Sequence, residues 1–373
     1  MINKIRNRLR KSYEKNEKRL GRLYFISLIM LCITFKYKEL KEEMEDSITT
    51  FSKHKKYSKK ELKKIRKEII LYRLIYKLRP GEYFLFETPR RTLEERASYI
   101  TREMTNGYYK KINDFDAINI LNDKFLSYKA FKDLYNRDVL YVSSDEQKNE
   151  FIEFVKRNKK FVVKPLEGHG GVGIEFLNAD DFKSDDELFN HVSKILPFIT
   201  EEIVVQNKKM ASFHEKSLNT VRVVTFQLNG HMSIVWAFFR VGQGDASVDN
   251  MTSGGLGVQV DPDTGILLTD GIDYLGDKVE KHPDSGIKFK GYQIPDWEGL
   301  KSTLEKTTAK IPSVHCIGWD MAYTNKSWVL VEANGRPQVV TIQVLTNKGF
   351  LDLFKKMVYL VEKDKNSDQE SDY

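Results

Sequence analysis

The sequence predicts an α+β protein: a basic, helical N-terminal region joined to a body in which helices give way to antiparallel strands. Three observations carry this. Apolar residues recur at helical spacing between residues 59 and 78, short β-branched runs broken by Gly, Asn and Asp succeed one another after Glu201, and charge is unevenly divided. Residues 1–79 hold 24 Lys and Arg against 9 Asp and Glu, a balance of +15, whereas the rest holds 37 against 44, a balance of −7. A basic arm on a mildly acidic body implies an anionic partner for the arm, a membrane surface or a nucleic acid. The 373 residues, 40% of them apolar, suffice for two or three domains with cores and exclude a disordered or low-complexity chain. Two cysteines, Cys32 and Cys316, cannot build a disulfide framework and suit a reducing, cytoplasmic setting. No small-residue cleavage site follows the apolar run at 23–35, so no secretory signal is expected. That run is also shorter than the ~20 residues a membrane span needs.

Taken in order, residues 1–22 are rich in Lys and Arg without strand alternation and read as helix. Residues 59–78 put Leu62, Ile65, Ile69, Ile70, Leu74 and Leu78 on one helical side, and Arg79-Pro80-Gly81 ends the run. A helix over 93–104 is expected to lead into an Asn106-Gly107 turn. Residues 120–135 read as a short helical unit carrying Lys124 and Lys129. Ser144-Asp145-Glu146-Gln147 has the form of a capping box opening a helix with Phe151, Phe154 and Val155 inward. Strands at 161–164 and 174–177 flank a glycine loop, and an acidic helix is expected over 181–196. Further strands are expected at 203–206, 221–228, 233–241, 257–260, 266–268, 317–323 and 328–333, with Asn229-Gly230 as a hairpin turn. A helix over 351–361 closes the fold. The expected organisation is a helical region 1–110, a smaller part 111–206, a larger part 207–362 and a polar, disordered tail 363–373.

Gly168-His169-Gly170-Gly171-Val172-Gly173 satisfies the glycine spacing of a dinucleotide-binding motif. That motif needs a helix after it to hold the pyrophosphate, and here a strand-like segment follows, so the dinucleotide reading fails on context. The alternative is a glycine-rich hairpin loop whose backbone N–H groups fold over phosphates, with Lys164 at the incoming strand end supplying charge. The plainer reading is a surface turn. A second constellation is Asp320, Glu332 and Asn334. A hairpin with its loop at 325–327 sets 320 opposite 332, and strand periodicity puts 334 on the same face. Three hard oxygen donors on one face suit Mg²⁺; the alternative is a solvated sheet face. No His or Cys spacing suggests zinc. His282 lies in a Pro-Asp loop that could wall a substrate, His214 precedes a strand, and His169 sits within the glycine loop.

Together these features resemble the ATP-grasp superfamily, to which D-alanine–D-alanine ligase and many carboxylate–amine ligases belong. The resemblance covers residues 118–360 and is closest to the sugar-transfer-associated ATP-grasp group, which accompanies surface polysaccharide biosynthesis. The phrases that carry it are Ser217-Leu218-Asn219-Thr220-Val221-Arg222, Phe239-Arg240-Val241-Gly242, Val248-Asp249-Asn250 with Gly254-Gly255, His282-Pro283 and Gly318-Trp319-Asp320. It implies an ATP-grasp fold, two α/β subdomains clamping ATP between antiparallel sheets. It further implies that Lys124 (or Lys129) and Lys164 contact ATP phosphates with the glycine loop, and that Glu201, Glu202, Ile203 and Gln206 line the adenosine. Asp320, Glu332 and Asn334 match the Mg²⁺ ligands. Peptide ligases of the superfamily often carry an arginine two residues before the metal aspartate, where this chain has Gly318, so the catalytic charge must come from Arg222, Arg240 or Arg336. The implied activity is an ATP- and Mg²⁺-dependent carboxylate–amine ligase acting through an acyl phosphate on a sugar acid or amino acid in capsular polysaccharide synthesis. A phosphotransferase acting on a sugar or lipid-linked hydroxyl and a non-catalytic membrane scaffold are the alternatives. For the arm, an anionic membrane at the inner face of the plasma membrane fits better than nucleic acid, because no groove-reading motif accompanies the charge.

Overall fold

The computed structural model describes residues 2–15, 20–33, 37–53, 56–166 and 173–371. The chain forms two compact units, Met1–Lys111 with Gln338–Tyr373, and Ile112–Pro337.

The first unit is helical. α1 (Ile2–Lys15), α2 (Leu20–Ile33), α3 (Tyr37–Phe51) and α4 (Lys59–Ile75) each present an apolar stripe to a shared core. Leu9 with Tyr13 on α1, and Leu40, Met44 and Ile48 on α3, are buried at the four-residue spacing that lines one helix face. On α4 the expected face is inward, with Ile65, Ile69, Ile70 and Leu74 buried. Ser58 opens α4 with a capping box: its hydroxyl accepts from Glu61 N and Glu61 accepts from Ser58 N. Pro80, expected only to end this helix, begins another, α5 (Pro80–Leu85), because a first-turn proline sacrifices no hydrogen bond. After α6 (Leu93–Ser98), Asn106-Gly107 lies inside α7 (Arg102–Ile112), not in a turn. Thr105, Tyr109 and Ile112 bury one face of α7 while Asn106 and Gly107 face outward, so packing overrides local turn preference.

The second unit holds two antiparallel sheets. α8 (Ile118–Asn122) and α9 (Lys124–Tyr135) lead into β1 (Val139–Val142), α10 (Lys148–Arg157), β2 (Lys160–Pro165), β3 (Glu175–Asn178), α11 (Asp185–Val192) and β4 (Phe198–Glu202). The four strands order as β1-β4-β2-β3 over a core of Phe151, Phe154, Phe161, Phe189 and Phe198. Ser144 caps nothing with its side chain; a short 3₁₀ turn over Asp145–Gln147 precedes α10, and Gln147 accepts from Ser143 N instead. The expected strand at 203–206 is displaced to Phe198–Glu202. Ile203 and Val204 are partly exposed connectors, Val205 is exposed, and only Gln206 makes a bridge, to Thr324.

After α12 (Lys208–Ala211) come β5 (Thr220–Leu228), β6 (His231–Val241), β7 (Leu256–Val260), β8 (Gly271–Ile272), β9 (Lys278–Val279), α13 (Trp297–Thr308), β10 (Cys316–Tyr323) and β11 (Trp328–Asn334). The sheet order is β11-β10-β5-β6-β7-β8-β9. Asn229 and Gly230 turn β5 into β6 with φ of 51° and 75°, the left-handed pair such a hairpin needs. Residues 266–268 contribute isolated bridges rather than a strand. β1 and α13 were not anticipated: β1 is four residues long, and α13 carries Thr and Gly within a segment dominated by strand signals.

The chain returns to the first unit through α14 (Val340–Thr346) and α15 (Leu351–Ser371). α15 continues through the expected disordered tail as far as Ser371. Leu351, Phe354, Met357 and Val361 anchor its first turns, and the polar residues beyond prolong the established helix rather than having to nucleate one.

Candidate active site

Three strands of the larger sheet build one row of charge. Arg222 on β5 lies opposite Asp320 on β10, and Asp320 lies opposite Glu332 on β11, so the three side chains project from one face. The predicted pairing of 320 with 332 therefore holds. The hairpin tip runs in a different register, because the ladder passes from Asp320–Glu332 to Met321–Leu330 and leaves Val331 as a bulge. Asn334 follows Glu332 on the same face.

Asp320 is 1% exposed and receives both Arg222, through Nε and through Nη2 at 2.6 Å, and Arg240 Nη1 at 3.1 Å. Arg240, on β6 opposite Thr220, also donates through Nη2 to Asp249 Oδ1 at 2.8 Å. Asp249 comes from the loop after β6, and its Oδ2 accepts from Thr220 N (3.0 Å) and Thr220 Oγ1 (2.5 Å). A Cβ on Gly255 would stand 2.4 Å from the Asp249 carbonyl oxygen, so this loop closes only with glycine there. Burial works against ionised Asp320, but the guanidiniums of Arg222 and Arg240 outweigh it and hold its carboxyl below the usual range. Burial also works against charged Arg240, and Asp249 and Asp320 reverse that, raising its pKa.

A second network lies on the smaller sheet. Lys164 Nζ donates to Glu201 Oε2 at 2.7 Å, and Arg137 Nη2 donates to the same oxygen at 2.7 Å. Arg137 Nη1 reaches the Leu330 carbonyl oxygen at 2.7 Å, tying this network to the backbone of β11. Burial pushes Lys164 down despite Glu201. Burial pushes Glu201 up, yet Arg137 and Lys164 bring it to about 2. Glu332 is half-buried, makes no hydrogen bond or ion pair among the described residues, and acts electrostatically on both Lys164 and Arg240. It is the open carboxylate between two compensated networks.

Of the expected phosphate contacts, Lys124 donates to the Leu166 carbonyl oxygen at 3.1 Å, at the strand end where the glycine stretch begins. Lys129 instead lies over the Phe125 ring, 4.3 Å from its centroid. Gly168, His169, Gly170 and Gly171 lie outside the described residues. Gly173 has φ +77°, and a Cβ there would meet Pro165 Cγ at 3.1 Å, so the return into β3 requires glycine. Glu202 accepts from Asp138 N, and Ile203 is half-buried. Gln206 donates to His214 O and Ser217 O and accepts from Asn219 N, which places its amide in the loop before β5. His282 is buried, pointing Nε2 at the Gly242 carbonyl oxygen (2.7 Å) and accepting at Nδ1 from Asp284 N and Ser285 N. Burial lowers its pKa, and both ring nitrogens serve loop backbone. Arg336 is exposed over the Phe115 ring.

Arg137 and Asp249 were missed as site residues. Arg137 sits in the Asn136-Arg137-Asp138 turn, where a lone arginine carries no signal, while Asp249 stood inside a resembling phrase without an assigned role. The structure also accounts for Gly318. Its side-chain direction points at Pro337, where a Cβ would lie 2.7 Å from Pro337 Cβ and 3.6 Å from Arg222 Cδ. No arginine fits at 318; Arg222 reaches the aspartate from the neighbouring strand. For a divalent cation, Glu332 and Asn334 offer side-chain oxygens on one face with no side-chain partner among the described residues, beside Asp320, whose oxygens both hold guanidiniums. This hard-donor chemistry suits Mg²⁺, although among the described residues no three His, Cys, Asp or Glu side chains cluster as a metal set.

No curated protein sequence matches this chain. Solved structures that resemble it include the ATP-grasp ligase PsnB complexed with a phosphomimetic variant of its minimal precursor, Mg and ADP, at 12% identity and a TM-score of 0.42. That match covers 67% of this chain and 62% of PsnB, so the chain spans less than two thirds of that ligase. The D-alanine–D-alanine ligase of Bacillus anthracis matches at 13% identity and a TM-score of 0.42, covering 68% of this chain and 72% of that one. The N5-carboxyaminoimidazole synthetase of Staphylococcus aureus, complexed with ADP, matches at 11% identity and a TM-score of 0.40, over 61% and 48% of the two chains. The family model for sugar-transfer-associated ATP-grasp proteins matches residues 103–358, which include both charge networks. The chain belongs to the sugar-transfer-associated ATP-grasp family.

Proposed function

We propose that this protein is an ATP- and Mg²⁺-dependent carboxylate–amine ligase that forms an amide in the synthesis of a cell-surface polysaccharide. The observation that carries the proposal is the open Glu332 carboxylate, with Asn334 beside it, between two buried networks that supply Lys164, Arg137, Arg222 and Arg240. Mg²⁺, when bound, neutralises phosphate charge, and Glu332, Asn334 and Asp320 are the residues that would hold it. Lys164, near the end of β2, and Lys124, bonded to the Leu166 carbonyl oxygen just beyond it, are the residues that bind phosphate oxygens. A substrate carboxylate attacks the γ-phosphorus, ADP leaves, and an amine nitrogen then displaces phosphate from the acyl carbon and gives up its proton. Arg222 and Arg240 stabilise the developing negative charge from preorganised positions, which costs no reorganisation during reaction.

The substrates are a sugar acid or amino acid with an amine, and the family's association with sugar transfer supports a surface glycan as destination. The proposal seats the enzyme in the cytoplasm at the inner face of the plasma membrane; no described helix is long and apolar enough to cross it. The test is incubation with Mg·ATP and pooled sugar acids, amino acids and amines, read by phosphate release and mass spectrometry. An amide product with stoichiometric ADP and phosphate supports the ligase. A phosphorylated hydroxyl product without phosphate release replaces it with a phosphotransferase, and failure to bind Mg·ATP removes both.

A further inference from the structure

We infer that the exposed face of α2, with the lysine row of α4 beside it, is a docking surface for an anionic lipid bilayer. The inference deepens the membrane seat proposed above and is independent of the ligase chemistry. Phe25 is 60% exposed, Ile29 59% and Ile26 37%. Residues 25, 26 and 29 share one side of the helix, whereas Leu23 and Ser27 face inward. Exposed large apolar residues elsewhere in the molecule, such as Phe176, Val205 and Tyr274, are scattered through the sequence and need no explanation. Here three fall within five residues of a helix that has no charged residue after Arg22.

The charge is next to the grease. α2 packs against α4, and Lys67 of α4 holds its Nζ 5.6 Å from the Tyr24 ring centroid; Tyr24 in turn meets the Phe25 ring edge-on at 5.3 Å. Lys60, Lys63 and Lys64, all exposed, run back along the same side of α4 from Lys67. Lys64 also pairs with Glu68 at 3.6 Å, and the other three carry the positive edge. α1 adds a stripe of its own, since Lys4, Arg8, Lys11 and Lys15 are exposed at alternating four- and three-residue spacing. At 14 residues α2 is too short to span a bilayer, and an apolar face bordered by lysines fits the boundary between headgroups and acyl chains. A second copy docking symmetrically would bring two lysine edges together, and nucleic acid gives exposed isoleucines no partner; an anionic bilayer satisfies both features at once.

The test uses the full chain and co-sedimentation with vesicles of phosphatidylcholine alone or with added phosphatidylserine, at ~0.1 M and ~1 M salt. Phe25→Ser with Ile29→Ser should weaken binding to phosphatidylserine vesicles at least ~10-fold, since two exposed apolar side chains lose their burial. The charge variant Lys60→Glu with Lys63→Glu should weaken it further at low salt and little at high salt. Phe25→Trp, a conservative change at an exposed site, should show emission quenched by brominated acyl chains. Absence of vesicle binding by the native chain overturns the inference and the membrane seat together. Binding that is lipid-dependent yet unchanged in the Phe25/Ile29 variant overturns this face and leaves the seat. Tighter binding to duplex or single-stranded DNA than to anionic vesicles, or self-association abolished by the serine variant without vesicle binding, also overturns it. Neither result touches the ligase reading, which is assayed separately without lipid.

Discussion

Glu201 is where the site's electrostatics should be most measurable. Two cations, Lys164 and Arg137, converge on its Oε2 at 2.7 Å, and all three side chains are nearly sealed from water. Glu201→Gln keeps the shape and removes the carboxylate those cations share. A carboxyl held at about 2 instead of the ordinary 4.5 contributes about 3 kcal/mol to stability at neutral pH, at about 1.4 kcal/mol per pH unit. That agrees with the ~3–5 kcal/mol expected when one partner of a buried pair is removed. Lys164 does not reduce this loss, because burial lowers its pKa in native protein and variant alike and Glu201 is the group that opposes that lowering. For a unit of this size each kcal/mol moves the melting temperature by ~2–4 °C, giving a drop of roughly 6–12 °C. The sign with pH is fixed by the depressed carboxyl: its contribution is full above the unfolded value near 4.5 and disappears as pH falls through about 2. The difference between native and variant protein should therefore shrink to roughly half by pH 3. Urea unfolding followed by tryptophan fluorescence at pH 7 and pH 3 measures both. A variant within ~1 kcal/mol of native at pH 7, or a deficit indifferent to pH, would refute the buried-network account.

The other predictions use the same two networks. Lys164→Ala should fold, because Arg137 still compensates Glu201, and should bind a non-hydrolysable ATP analogue more weakly by calorimetry; unchanged affinity removes its phosphate role. Glu332→Gln should leave stability within ~0.5 kcal/mol, since no described hydrogen bond or ion pair is lost, while ADP release at saturating Mg²⁺ collapses. Near-native turnover in that variant would exclude Glu332 from the metal set. Gly318→Ala should destabilise by ~1–3 kcal/mol through the 2.7 Å approach to Pro337 Cβ, and a neutral melt would show that β10 yields more readily than its packing suggests.

Much of this arrangement was legible because it rests on periodicity. The pairing of Asp320 with Glu332 follows from strand alternation and a hairpin centred near 326, and the Asn229-Gly230 turn from its need for positive φ, whereas the β5–β10 pairing that sets Arg222 opposite Asp320 is a tertiary contact. Three things were hidden. Packing can reverse a local preference, as when Tyr109 and Ile112 carry a helix straight through Asn106-Gly107. Apolar content does not say whether a segment pairs: Ile203–Val205 reads as strand, but the ladder belongs to Phe198–Glu202, whose Phe198 joins the Phe151 core. Counter-ions are tertiary facts. Nothing local to Asn136-Arg137-Asp138 announces a guanidinium bridging Glu201 and the Leu330 carbonyl oxygen, 64 and 193 residues away.

Gly318 and Arg222 show how the charge facing Asp320 can come from a neighbouring strand. An arginine two residues before an aspartate on the same strand shares its face but sits ~7 Å away along the chain, whereas the residue directly opposite on the next strand is ~5 Å away. Arg222 takes that nearer position on β5 and meets Asp320 through two nitrogens, which a neighbour on β10 could match only by bending along the strand. Glycine at 318 is then required, because the space above it holds Pro337 and the stem of Arg222. The exchange has an electrostatic consequence. Asp320 is compensated by Arg222 and Arg240 before any cation arrives, so Glu332 and Asn334 present the first open oxygens of the row. Within the proposed function, these two are the residues that would hold a divalent cation, with Asp320 available to it only if shared with the guanidiniums. On the proposed function, the charge that Gly318 cannot supply from β10 comes from Arg222 on β5, whose hold on Asp320 would compete with a bound cation.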